Sequence, residues 1–187
     1  MRRIASVYLA GPDMLHPDAV GLIAQKQALC SAAGYTPLTP DAQALLDEDR
    51  TEVMARRIYA ERLIRLKEAD AVIVDLSPFR GPNCDPATAF EAGVMAGLGK
   101  PVFAYMNVRS EEEAEFLARV EEYEGAEGEE DGVWRDGAGY LIEDYGLPET
   151  LMLWGEARRL FVIVSGEPDA DLTGLQLCLE AIKLYSD

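Results

Sequence analysis

Residues 71–76, Ala71-Val72-Ile73-Val74-Asp75-Leu76, are an apolar run interrupted by one carboxylate. A continuous, largely β-branched run of this kind predicts a strand of a parallel sheet covered on both faces. Upstream, Thr51 to Ala69 predicts a helix with Met54, Ile58, Leu63 and Leu66 on or near one face. Downstream, Ser77 to Pro86 is a loop carrying Pro78, Gly81, Pro82 and Pro86. Ala87 to Leu98 then predicts a helix closed by Gly99, and Pro101–Tyr105 the next strand.

The same alternation precedes this core. Ile4–Leu9 predicts a buried strand ending in Ala10-Gly11-Pro12, Pro17–Ala33 a helix with Gly34 just past its end, and Tyr35–Leu38 a short strand. Strand–helix repetition of this kind indicates a doubly wound (Rossmann/flavodoxin-like) α/β fold, with a parallel sheet of about five strands flanked by helices. Such folds bind ligands at the carboxyl ends of their strands, here Gly11-Pro12 and the loop after Asp75. Toward the C-terminus, Pro148–Arg159 predicts a helix, Leu160–Val164 fits either a strand or its continuation, and Asp171–Tyr185 a terminal helix. With no repeat or linker, the reading is one domain over residues 1–187.

Charge narrows the function. The chain has 34 Asp+Glu against 17 Lys+Arg, a formal net charge of −17. That opposes binding to nucleic-acid phosphates or an anionic membrane surface. No uncharged apolar stretch reaches the roughly 18–20 residues of a membrane span. Met1-Arg2-Arg3-Ile4 is not followed by a signal-peptide pattern. Cys30, Cys84 and Cys178 are odd in number and far apart, which suits a reducing cytoplasm. One histidine, His16, and no paired cysteines leave no metal site to propose. Gly11-Pro12 lacks the remainder of a dinucleotide or Walker signature, so no cofactor is expected.

The acidity is local. Residues 111–132 hold eleven acidic residues, among them Glu129, Glu130 and Asp131, and one basic residue, Arg119. Phe116, Leu117 and Val120 keep helical spacing, whereas 124–132 reads as a solvated loop; the segment is expected to be a solubilising surface helix and loop.

The chemistry-bearing stretch follows Asp75. Asp85 opens the helix of residues 87–98 and reads either as its N-cap or as an acid. Glu91 lies inside that apolar helix and is either on its solvent side or buried with a partner. Two carboxylates so placed, with Asp75 at a strand end, resemble the acid–nucleophile pair of a retaining glycosidase. Cys84 reads as a small packed residue, and Arg80 as a structural partner of the Asp-bearing loop in preference to a phosphate ligand.

The ordered segments Tyr8-Leu9-Ala10-Gly11-Pro12, Ala69-Asp70-Ala71-Val72, Phe79-Arg80-Gly81-Pro82, Asp85…Thr88-Ala89-Phe90-Glu91, Gly99-Lys100-Pro101 and Leu151-Met152 resemble the nucleoside 2-deoxyribosyltransferase family. The resemblance implies that Glu91 attacks C1′ of a 2′-deoxynucleoside and forms a covalent deoxyribosyl-enzyme with overall retention. It implies that Asp85 protonates the leaving base and deprotonates the incoming one, while Tyr8 holds Glu91. Substrate contacts would come from Gly11, Pro12 and Asp75, from Pro78, Phe79 and Gly81, and from Arg62, Thr150 and Met152. Partners would be a 2′-deoxynucleoside, a free nucleobase and further copies of the chain, in a dimer-based homo-oligomer such as a hexamer with shared sites.

Two positions depart from the family's pattern: Arg62 stands where Asn or Asp is usual, and Thr150 where Asn is usual. Alternatives to base exchange are hydrolysis of an N-glycoside through the same Glu91 and a non-catalytic nucleoside-binding module. The first loop, Gly11-Pro12-Asp13-Met14-Leu15, has an acidic residue and no arginine, which favours an uncharged nucleoside over a nucleotide.

Overall fold

The computed structural model describes residues 3–41, 50–128 and 132–186; Glu129, Glu130 and Asp131 of the acidic segment lie outside them. The elements in chain order are β1 (Ser6–Ala10), α1 (Ala19–Ala32), β2 (Thr36–Leu38), α2 (Glu52–Glu68), β3 (Ala71–Asp75), α3 (Pro86–Gly97) and β4 (Val102–Val108). They continue as α4 (Phe116–Glu124), β5 (Ala126–Gly128), β6 (Trp134–Asp136), α5 (Leu151–Glu156), β7 (Ala157–Val164) and α6 (Thr173–Ser186).

Five strands form a parallel sheet in the order β2-β1-β3-β4-β7. The chain winds outward from β1 in both directions, so the order reverses between β1 and β3, and a crevice opens outside their carboxyl ends. Side chains alternate across the sheet. Tyr8, Ala10, Val72, Val74 and Leu76 face one side, packed with Leu66 of α2 and with Ala92 and Met95 of α3. Val7, Leu9, Ala71 and Ile73 face the other, against Cys30 of α1 and Leu175, Cys178 and Ile182 of α6. Both faces are thus dry, which is why residues 71–76 show no polar alternation.

The helix ends follow their sequence signals. Thr51 accepts from the Met54 amide at the start of α2, Asp85 from the Thr88 amide at the start of α3, and Gly34 follows α1 with φ 93°.

Three expectations are corrected. Ala157–Arg159 is strand, not helix: α5 ends at Glu156, and Ala157 already pairs with Val102. β4 is buried along its whole length, so its outer edge requires a hydrogen-bonded neighbour, which β7 supplies. Within the stretch read as solvated loop, Ala126–Gly128 forms an antiparallel pair with Trp134–Asp136. The acidic segment is also not wholly surface, since Phe116, Arg119 and Val120 are buried. Among the described residues no helix is long and apolar enough to cross a membrane.

Candidate active site

Glu91 is decided by helical phase. Thr88, Glu91, Ala92 and Met95, spaced i, i+3, i+4 and i+7, are the buried residues of α3, so Glu91 projects toward the sheet and is only 5% exposed. The solvent-side alternative does not hold. A buried carboxylate requires donors, and two elements provide them. The Tyr8 hydroxyl of β1 donates to Glu91 Oε1 at 2.8 Å, and Arg62 of α2 donates to that same oxygen through Nε at 3.2 Å and Nη2 at 2.7 Å. Glu91 Oε2 is buried and has no hydrogen-bond partner among the described residues.

The electrostatics follow from burial. Desolvation raises the Glu91 pKa above the usual carboxylate range; Arg62 and Tyr8 oppose it, and Asp85 adds to it. Burial also pushes up the Tyr8 phenol, with the Glu91 charge adding to the shift. For Arg62, burial acts downward, but Glu91 and Tyr8 outweigh it and the guanidinium is held charged.

A cavity of about 290 Å³ opens between α2 and α3 beside this pair, lined by Ile58, Tyr59, Arg62, Leu63, Phe90 and Glu91, among others. Phe90 and Tyr59 are more than half exposed at its walls. Asp85 is 8% exposed, and its Oδ2 accepts from the Thr88 amide and hydroxyl at 3.0 and 3.2 Å. The cap role is thus real, and it does not exclude a second one.

Other predicted site residues gather elsewhere. Asp75 lies on the opposite face of the sheet from Tyr8 because it follows Ala71 and Ile73 in the alternation. It accepts from the Tyr105 hydroxyl at 2.8 Å and from Lys26 Nζ at 3.3 Å, while Lys26 also reaches Asp13 at 2.6 Å. A second cavity, of about 190 Å³, brings Pro12, Asp75, Pro78 and Phe79 together with Asp13 and Lys26. Gly11 permits the close approach of β1 and β3 there, since a Cβ on it would lie 3.0 Å from Asp75 Cβ.

Lys26 escaped the sequence reading, which noted Asp13 only as the acidic residue of the first loop. The available signal was spacing, because Lys26 falls in the buried stripe Ala19, Leu22, Ile23, Lys26 and Cys30 of α1. Burial acts to lower the Lys26 pKa, but Asp75 and Asp13 outweigh it and the ammonium is kept charged.

Arg119 was likewise noticed only as the lone cation of an acidic segment. It is 1% exposed and donates to the carbonyls of Pro82, Glu113 and Pro148, tying the loop after β3 to the chain before α5. Gly81 is half-buried, and Arg80 adopts a left-handed φ of 56° with its guanidinium 4.8 Å from the Phe79 ring centre. Thr150 sits at the start of α5, where its amide donates to Glu149; Met152 on α5 is 80% exposed. Burial raises the Cys84 thiol to about 12, as befits a packed residue and not a nucleophile. His16 accepts the Asp18 amide, and among the described residues no His/Cys/Asp/Glu cluster could hold a metal ion.

Together, the flavodoxin-like strand order and a buried carboxylate held by Tyr8 and Arg62 define an α/β protein with an acidic side chain at a cavity between α2 and α3. The chain belongs to the nucleoside 2-deoxyribosyltransferase family, whose model matches residues 7–152. The structure is similar to that of a 2-desoxiribosyltransferase from Leishmania mexicana, with TM-score 0.62 and 29% identity over 94% of this chain and 97% of that one. A conserved protein of Enterococcus faecalis V583 shares the fold, with TM-score 0.52 and 18% identity over 97% of this chain and 99% of that one. A Schizosaccharomyces pombe protein of uncharacterized function is 34% identical over 113 residues, 55% of this chain and 50% of that protein. The chain therefore spans about half the length of the curated relative it matches.

Proposed function

We propose that this protein transfers a 2-deoxyribosyl group between nucleobases through a covalent intermediate on Glu91. One observation carries the reading: Glu91 Oε1 is fully occupied by Tyr8 and Arg62, whereas Oε2 is unpartnered. In the first half-reaction an Oε2 lone pair forms a bond to C1′ as the C1′–N bond breaks. The bonding electrons leave on the base nitrogen, which takes the proton of Asp85, so that a neutral base departs. In the second half Asp85 removes the N–H proton of the incoming base, whose nitrogen displaces Glu91 from C1′. Two inversions return the original configuration.

The apolar walls formed by Ile58, Tyr59 and Phe90 suit an uncharged sugar–base substrate. Of the remaining predicted contacts, Pro12, Asp75, Pro78 and Phe79 line the second cavity and not the one beside Glu91; their assignment to the substrate, like that of Gly11, Gly81, Thr150 and Met152, rests on the family resemblance. Leu151, Met152 and Trp154 of α5 are all exposed, and they support a homo-oligomer in which a neighbour's α5 completes the site. Three buried free cysteines fit a reducing, cytoplasmic setting.

The test is incubation with deoxyinosine, with and without adenine. Deoxyadenosine formed only with adenine supports transfer. Hypoxanthine released equally fast without adenine would replace transfer with hydrolysis, and no turnover of any nucleoside would leave a binding module. Sedimentation of the wild type and Met152→Glu tests the assembly: a wild-type monomer refutes it.

A further inference from the structure

An arginine paired with a carboxylate ordinarily spreads its fork over both oxygens. Arg62 does not. Its Nε and Nη2 both converge on Oε1, the oxygen that Tyr8 already holds, and Oε2 receives nothing. The geometry also separates Arg62 from its neighbours on α2. Arg56 and Arg57 make i,i+4 pairs with Glu52 and Glu61, with arginine side chains 79% and 69% exposed, whereas Arg62 is 25% exposed and turns inward to a residue of another helix.

We propose that Arg62 is a positioning residue that selects Oε2 of Glu91 as the attacking atom and eases ionisation of the buried carboxylate. This inference rests on Glu91 being the nucleophile.

With Tyr8 and Arg62 drawing on Oε1, the donors orient the carboxyl plane, and the other oxygen, though buried, keeps its lone pairs uncommitted among the described residues. Once Oε2 bonds to C1′, Oε1 becomes the ester carbonyl, still held by the guanidinium. When the incoming base displaces the carboxylate, the returning charge is met by a cation already in place. Among the described residues, the charged and titratable groups that face Glu91 are Tyr8 on β1, Arg62 on α2 and Asp85 at the start of α3. Of these only Arg62 is a cation; Asp85 and burial both act against the ionised form.

The substitutions Arg62→Gln and Arg62→Lys test it. The Glu91 carboxyl is followed by ¹³C NMR across pH, its signal assigned by its loss in Glu91→Gln. The Arg62→Gln midpoint should lie higher than wild type by about 1–3 pH units, the size of the effect of an adjacent opposite charge. The acidic limb of kcat/KM for base exchange should move upward by the same amount, with KM changed less than kcat. Arg62→Lys keeps the charge without the converging pair. It should hold the midpoint nearer to wild type yet lose about tenfold or more in kcat at the plateau. An unchanged midpoint in Arg62→Gln overturns the electrostatic claim, and full kcat in Arg62→Lys overturns the orienting claim. If wild type turns over no nucleoside while the midpoint still shifts, the transferase reading fails and the hold of Arg62 on Glu91 stands.

Discussion

Tyr8 and Glu91, 83 residues apart in the chain, meet through a 2.8 Å hydrogen bond that crosses from the sheet to α3. Tyr8 is fully buried and its phenol is pushed up by burial and by the Glu91 charge, so it remains a donor throughout the physiological range. A hydrogen bond to a charged group contributes about 1.5–3 kcal/mol. Tyr8→Phe should therefore lower kcat/KM for base exchange about 10- to 100-fold. Circular dichroism should show an unchanged fold. Undiminished kcat/KM would remove Tyr8 from the site.

The pH dependence has a defined sign. Burial raises the Glu91 pKa, and attack requires the carboxylate, so activity should be lost as pH falls through a value above the usual carboxylate range. Stability runs the other way. The fold favours neutral Glu91, so its contribution is complete below the ordinary carboxylate pKa and is lost as pH rises through the raised value. Thermal unfolding of Glu91→Gln beside wild type should show the variant gaining relative stability from acid to neutral pH. A constant difference across that range would contradict this.

Asp85 can be split into its two roles. Asp85→Ala removes the cap of α3 and should cost about 1 kcal/mol of stability. Asp85→Asn retains an acceptor for the Thr88 amide but cannot carry the proton. It should unfold near wild type in urea while losing about 10²–10⁴-fold in base exchange. Full turnover by Asp85→Asn would leave Asp85 as a cap alone.

On the opposite face of the sheet, Lys26 lies between Asp13 and Asp75 with side chains about a tenth exposed or less. Lys26→Met leaves both carboxylates buried without their cation and should cost about 3–5 kcal/mol, read from the urea midpoint. Adding Asp13→Asn to Lys26→Met should recover part of that loss. If the single variant unfolds like wild type, the network has no structural weight.

Gly174, in the first turn of α6, lies against Tyr105: a Cβ there would fall 2.6 Å from Tyr105 Cβ. Gly174→Ala should destabilise by about 1–3 kcal/mol through overpacking, measured as a lowered unfolding temperature. A substitution at the exposed, open Gly139 should not fall under this mechanism.

Periodicity and end signals are local properties, and they were enough for most of the elements. The run at residues 71–76, the caps at Thr51 and Asp85 and the glycine after α1 could be read from neighbours a few residues away. The same held for the positions of Asp85 at the start of α3 and of Glu91 six residues on within it. What local pattern could not supply was the partner. Leu160–Val164 fitted two conformations until β4 presented a buried edge that needed pairing. Glu91 was a carboxylate in an apolar helix, Tyr8 a strand aromatic and Arg62 a departure from a motif. Their convergence on one oxygen depends on how α2 and α3 pack over β1, a relation between distant segments. Asp75 shows the converse. Its place at a strand end was legible, but the alternation of side chains across the sheet turned it away from Glu91 and toward Lys26, a contact carried by the far face of the fold.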